Sequence, residues 1–94
     1  MLNIIKQRCG IAQSVTTYDE DILLYIKDCE MDMIASGVPE SLINKQMHEG
    51  VITAISLYVK AFLGNDRTDT EKYMDLYRKK VFRLSLEEEE DVES

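Results

Sequence analysis

Apolar residues recur every three to four positions along most of the chain, which is the spacing of amphipathic helices. The first run is short. In "MLNIIKQRCGI", Leu2, Ile5 and Cys9 share one side, and Gly10 is suited to end a helix. The pattern therefore predicts a short first helix with one apolar side.

The second predicted helix has clear signals at both ends. "TYDE" has the form of a capping box, with Thr17 as N-cap and Glu20 reaching back to it. "SGVP" ends the helix, because Gly37 can take the left-handed conformation and Pro39 cannot continue a helix. The residues that form its main apolar stripe are Tyr18, Ile22, Tyr25, Ile26, Cys29 and Met33.

This second helix carries more apolar surface than one core contact requires. Further apolar side chains lie on its other sides, namely Leu23, Leu24, Met31 and Ile34. A narrow acidic stripe also runs along the helix and consists of Asp21, Asp28 and Asp32. Either a small bundle surrounds the helix, or a neighbouring subunit covers its second face.

The third predicted helix, about Asn44 to Leu63, is apolar around most of its circumference, which favours a central position. Its broad apolar face contains Met47, Val51, Ile52, Ala54, Ile55, Tyr58, Val59, Ala61 and Phe62. The polar wedge that remains contains Gln46, Glu49, Thr53, Ser56 and Lys60. Gly64 ends the helix, and "GNDRTD" has the composition of a loop.

"TDTE" repeats the capping-box form, from Thr68 to Glu71, and opens a fourth helix. Its apolar stripe contains Tyr73, Met74, Leu76, Tyr77 and Val81. From Phe82 the apolar period changes to two, through Leu84 and Leu86. Two structures fit this change: a short extended segment, which would have to pair with another chain, or a frayed helical end.

The pattern predicts an all-α fold, a small bundle of about four helices around a central buried helix. The helical domain is expected at residues 1–86 and an acidic, flexible tail at residues 87–94. The whole chain has a net charge of −7, but the tail holds six of its 18 acidic residues. The remaining 12 acidic and 11 basic residues leave the body nearly neutral.

The charges of the body are unevenly distributed. Residues 16–32 contain six acids and one base, whereas residues 60–83 contain seven bases and four acids. Basic side chains cluster at Arg78, Lys79, Lys80 and Arg83. Such segregation fits either solvated helix faces or two complementary surfaces that favour head-to-tail association.

The sequence contains little that predicts catalysis or ligand binding. His48 is the single histidine, and phosphate-loop, HExxH and CxxC motifs are absent. Cys9 and Cys29 are too few for a disulfide framework and are expected to be reduced thiols. We therefore expect neither an enzyme nor a cofactor nor a metal site. Without an apolar run long enough to span a bilayer, we expect an intracellular chain with no membrane partner.

The order of elements resembles the small helical head–tail connectors of tailed double-stranded DNA phages. The resemblance covers roughly residues 2–85, and three segments carry it: "DEDILLYI", "AISLYVKAFLGND" and "YMDLYRKKV". It implies a structural protein of the virion, present in the host cytoplasm during assembly. Members form a closed homo-oligomeric ring, for which a dodecamer is one candidate. The ring docks beneath the portal protein, extends the channel through which DNA passes, and receives a tail-side adaptor or stopper protein.

A ring of this kind predicts a subunit interface made of two different patches. The acidic patch is expected to contain Asp21, Asp28 and Asp32 with Leu23, Met31 and Ile34 beside it. The basic patch is expected to contain Arg78, Lys79, Lys80, Phe82, Arg83, Leu84 and Leu86. The acidic tail could repel DNA phosphate in the channel, or it could become ordered on contact with portal or tail proteins.

Two other functions fit the sequence. A small acidic regulator or DNA mimic could bind a basic partner through Glu87 to Glu93, although the near-neutral body counts against it. The second of these alternatives is a four-helix domain with an unrelated scaffolding role. Sequence-specific DNA binding by the basic residues at 78–83 is disfavoured, because adjacent acids compete for them and no DNA-reading motif accompanies them.

Overall fold

A computed structural model describes residues 1–44, 48–64 and 67–87. Over these ranges the chain forms five helices and no strand, which confirms the all-α prediction. In chain order they are α1 (Leu2–Arg8), α2 (Asp19–Ala35), α3 (Glu40–Asn44), α4 (Glu49–Leu63) and α5 (Arg67–Ser85). The tail is predicted at residues 87–94, of which all but Glu87 lie outside the described residues, so the domain boundary remains a prediction.

Helix α4 is the centre of the fold, as its apolar circumference predicts. It packs against α5, α2 and α1, and Ile52, Ile55 and Val59 are fully buried. Ser56, predicted in the polar wedge, is also buried. Its hydroxyl donates a 2.8 Å hydrogen bond to the Ile52 carbonyl one turn earlier, which satisfies the polar group inside the core.

The third predicted helix corresponds to α4 but begins later than expected, and the short helix α3 that precedes it was not predicted. Helix α3 ends at Asn44 and α4 begins at Glu49, after His48 in an extended conformation. The Nδ1 atom of His48 accepts a hydrogen bond from the Val51 amide at 3.3 Å, so this histidine caps α4. Residues 45–47, including Met47 of the predicted apolar face, lie outside the described residues.

The capping box predicted at Thr17 is wrong. Helix α2 begins at Asp19, Tyr18 occupies the N-cap position, and no side chain caps the helix there. The Asp19 amide instead donates to the Thr16 carbonyl at 3.2 Å, which closes a turn before the helix. The predicted end is correct: Gly37 has φ +99°, and the Val38 amide bonds back to the Met33 carbonyl at 2.9 Å.

Helix α5 continues through Phe82 to Ser85, so the helical alternative for this segment is correct and the extended one is wrong. Leu84 is fully buried, and it lies so close to α4 that a Cβ added to Gly50 would lie 2.8 Å from its Cδ2 atom. Tyr77, Val81 and Leu84 follow helical spacing on the buried side. Within the described ranges, no helix is both long and apolar enough to cross a bilayer.

Candidate functional site

Helix α2 exposes an apolar face opposite the side that packs on the core. Its core side contains Ile22, Ile26, Cys29 and Met33, which are all buried. On the opposite side the four additional apolar residues remain exposed, with Leu23 at 51%, Leu24 at 58%, Met31 at 62% and Ile34 at 42% of their full surface. We call these four residues the outer α2 face. Lys27 lies one turn from Leu23 and one turn from Met31, so a single charged side chain interrupts this face. Four large apolar side chains exposed on one side of a helix form a candidate interaction surface.

The three residues of the acidic stripe of α2 have different surroundings. Asp21 and Asp28 are exposed, but Asp32 is bound within its own chain. The Tyr77 hydroxyl donates a 2.6 Å hydrogen bond to Asp32 Oδ2. Because its carboxylate already has a partner, Asp32 is less suited than Asp21 and Asp28 to pair with a neighbouring copy.

Tyr77 and Cys29 form a buried polar contact that the sequence analysis missed. The Cys29 thiol lies 3.7 Å from the Tyr77 hydroxyl, between α2 and α5. Burial, which disfavours the charged form, raises the pKa of Cys29 to about 12, opposed by the hydrogen bond to Tyr77. Burial also raises the pKa of Tyr77 strongly, and its hydrogen bond to Asp32 raises it further. Both groups are therefore neutral, structural members of the core.

The basic cluster of α5 divides between the two flanks of the helix. On the flank facing α2, Arg78 and Phe82 line a groove of about 270 Å³ together with Asp32 and Ser36. Phe82 is 64% exposed, and Leu86, beyond the helix end, is 67% exposed. This flank therefore brings a predicted acidic residue, a basic residue and an exposed aromatic ring together within one chain.

On the flank facing α4, Lys79, Lys80 and Arg83 surround a groove of about 280 Å³. Leu57 of α4 and Leu76 of α5 complete its lining. We call this the basic groove. The Lys79 ammonium also pairs with Asp75 one turn earlier at 3.1 Å, and both side chains are more than 60% exposed.

The structure corrects the prediction that Leu84 contributes to the subunit interface. It is fully buried between α5 and α4 in its own chain, so it has no surface to offer a neighbour. The other twelve predicted interface residues have exposed or half-buried side chains, and they lie on α2, on α5 or at the end of α5.

Lys6 is a buried lysine that the sequence did not reveal. Its ammonium lies 2.7 Å from the Val15 carbonyl, 3.1 Å from the Gln13 carbonyl and 2.8 Å from Asp19 Oδ1. Only 2% of its side-chain surface is exposed. It joins α1 to the following loop and to the start of α2, which is a structural role. No local sequence pattern could have identified it, because its partners lie 7 to 13 positions away.

A third cavity, of about 350 Å³, lies at the C-terminal end of α4. Cys9, Tyr18, Lys60 and Tyr73 contribute to its lining. Burial raises the pKa of the Cys9 thiol, and the nearby charge of Lys60 opposes that shift. A thiol whose pKa is raised is a poor nucleophile. Among the described residues, no group of three His, Cys, Asp or Glu side chains is placed to hold a metal ion.

Comparison with known proteins identifies a family. A family model described as phage connector protein matches residues 1–91, all but the last three residues of the chain. No curated protein and no solved structure matches the chain.

Proposed function

The chain belongs to the phage connector protein family, and we propose that it closes into a homo-oligomeric ring beneath the portal. In this position it extends the DNA channel at the head–tail junction of the virion and receives the next tail-side protein. Its role is structural, and DNA passes the ring without being read. Association with other head or tail proteins follows from the family; the ring and its named partners are the proposal.

The observation that carries the proposal is the outer α2 face. A ring is built from heterologous contacts, in which one patch meets a different patch on the next copy. We place the outer α2 face against the exposed end of α5, where Phe82 and Leu86 are the most exposed large apolar residues of the described chain. Both patches are uncovered in the single chain, and each would bury the other.

Apolar burial supplies most of the free energy of this contact. Full burial of one large aliphatic side chain contributes about 1.5–3 kcal/mol, and each of the four residues of the outer α2 face has between 42% and 62% of its surface left to bury. An exposed ion pair contributes only about 0.2–1 kcal/mol. Pairing of Asp21 and Asp28 with Arg78, Lys79, Lys80 or Arg83 of the next copy would therefore set register and orientation rather than affinity.

Disulfide trapping tests the placement of the two patches. In a Cys9→Ser background, equal amounts of Leu24→Cys chains and Phe82→Cys chains are mixed and mildly oxidised. We expect a disulfide-linked pair containing one chain of each kind, because the two positions face each other only between copies. Val15→Cys replaces Leu24→Cys as the control, since Val15 is 40% exposed on the loop outside the outer α2 face.

The result that contradicts this contact is a preference for like pairs. Links between two Leu24→Cys chains, or between two Phe82→Cys chains, would indicate a two-fold contact that cannot build a ring. Equal trapping of the Val15→Cys control would indicate random collision.

A further inference from the structure

The basic groove lies beside the point where the acidic tail leaves the domain. On α5, Leu76, Lys80 and Arg83 follow the spacing of one helix face, and Glu87 continues that spacing just beyond the helix end. The chain turns there, with the Glu87 amide bonded to the Leu84 carbonyl at 3.1 Å. The tail therefore starts at one end of the groove.

Glu87 is held at that end by His48. Because His48 Nδ1 accepts the Val51 amide, the Nε2 atom carries the ring proton and faces Glu87 Oε1 at 3.4 Å. The N-terminus of α4 also favours a negative charge at this position. The contact places Glu87 beside the N-terminus of α4, and Leu57 of the same helix lines the groove.

We propose that residues 88–94 bind in the basic groove of their own chain. Five carboxylates, at Glu88, Glu89, Glu90, Asp91 and Glu93, would face the cations at 79, 80 and 83. Val92 is the single large apolar residue of the segment, and it would contact the Leu57 and Leu76 side chains. The segment thus matches the groove in both charge and apolar content.

The segment is long enough for this contact. Leu76, at the far end of the groove, lies 11 positions before Glu87, about 16 Å along a helix that rises 1.5 Å per residue. Seven extended residues reach about 23 Å at 3.3 Å each. The groove residues Lys80 and Arg83 form no ion pair with another described residue, so their charges are available to the tail.

Binding within one chain would affect assembly. The same three cations belong to the patch expected to meet Asp21 and Asp28 of the next copy, so the tail and the neighbour compete for them. This consequence rests on the proposed function, whereas the binding of the tail does not.

Carbodiimide cross-linking tests the proposal on the full chain. The reagent joins a carboxylate to an adjacent amine as an amide and takes up the water that is lost. Unlabelled and ¹⁵N-labelled chains are mixed at low micromolar concentration, cross-linked and mapped by mass spectrometry. We expect tail carboxylates linked to Lys79 or Lys80 several-fold more often than to Lys27 or Lys72, and only between residues of the same isotope.

Salt and a matched variant give two further readouts. The links should be lost in 1 M NaCl, where the screening length is about 3 Å. Arg83→Gln removes one groove cation without removing an amine and should reduce the links. Arg8→Gln, an exposed arginine that pairs with Glu49, should leave them unchanged.

Three results would overturn the proposal: mixed-isotope links in place of same-chain links, equal linking to Lys27 and Lys72, or no tail links while Lys79 links to Asp75 in the same sample. The last comparison shows that the amine is reactive. Because the readout is made within single chains, a monomeric protein with these links would contradict self-assembly into a ring and still support the bound tail.

Discussion

The Tyr77 hydroxyl donates a 2.6 Å hydrogen bond to the Asp32 carboxylate, from a side chain that is otherwise buried in the core. The bond joins α5 to α2 and holds the acidic stripe beside the flank of α5 that carries Arg78 and Phe82. It therefore ties together the two helices that we assign to the subunit contact.

Tyr77→Phe should lower the free energy of unfolding by about 1.5 kcal/mol. Hydrogen bonds to charged groups contribute about 1.5–3 kcal/mol, and the lower value applies because Asp32 is exposed and water can replace the hydroxyl. Urea unfolding measures the change. Tyr73→Phe, at a half-buried tyrosine outside this contact, should change stability by less than about 0.5 kcal/mol; an equal loss in both variants would contradict the assignment.

Stability should fall at alkaline pH because of the same buried cluster. Unfolded cysteine and tyrosine ionise near 9.0 and 10.0, whereas the pKa of Cys29 is raised to about 12 and that of Tyr77 is raised further. Above pH 9 the unfolded chain therefore loses protons that the folded chain retains, and ionisation favours unfolding. Each such group lowers the free energy of unfolding by up to about 1.4 kcal/mol per pH unit.

Urea unfolding between pH 8 and pH 11 checks this sign. Cys29→Ala should be less stable than the parent at pH 7 but should lose stability less steeply above pH 9. Cys9→Ala, at a half-buried thiol, should change the slope less. A parent protein whose stability is constant to pH 11 would contradict the buried, neutral state of both groups.

Lys6→Met should destabilise the fold by about 3 kcal/mol. Removing one partner of a buried ion pair costs about 3–5 kcal/mol, and the lower value applies because 26% of the Asp19 side chain is exposed. Arg8→Met is the matched control, because Arg8 and Glu49 form an exposed pair with 39% and 76% of their side chains accessible. Arg8→Met should lower the free energy of unfolding by less than about 1 kcal/mol. An equal loss in both variants would mean that the buried contacts of Lys6 do not stabilise the fold.

Charge reversal tests the register of the proposed ring. Lys79→Glu with Lys80→Glu should raise the concentration at which the protein assembles, because it places like charges opposite Asp21 and Asp28 of the next copy. Adding Asp21→Lys and Asp28→Lys should partly restore assembly, which sedimentation velocity measures. If assembly is not restored although circular dichroism shows an intact fold, these charged groups do not form the subunit contact.

Four of the five described helices, all except the five-residue α3, could be predicted from the sequence because their apolar residues recur at helical spacing. The end of α5 shows the limit. Phe82 and Leu86 point outward and Leu84 inward, and successive steps of two residues turn a helix by about 200°. That alternation looks the same as a strand. Helix and strand are distinguished only by tertiary packing, in which Leu84 lies against Gly50, 34 positions away in the sequence.

The outer α2 face could also be predicted, because an apolar residue opposite a complete core stripe has no place inside a small domain. The separation of the basic cluster into two flanks could not. Arg78 and Lys80 are two residues apart, and which neighbour each one faces depends on how α5 packs against α2 and α4. The contacts of Lys6 with Gln13, Val15 and Asp19 could not be predicted either, because they depend on the path of the loop between α1 and α2.

The native mass of the protein tests the central claim most directly. Light scattering coupled to size-exclusion chromatography, over a range of protein concentrations, should give one discrete species at a fixed multiple of the 10.9 kDa chain. Met31→Glu should convert it to folded monomer, and Val15→Glu should leave it unchanged. A parent protein that remains monomeric at every concentration would contradict ring closure by self-assembly, and a Met31→Glu variant that assembles normally would contradict a ring closed through the outer α2 face.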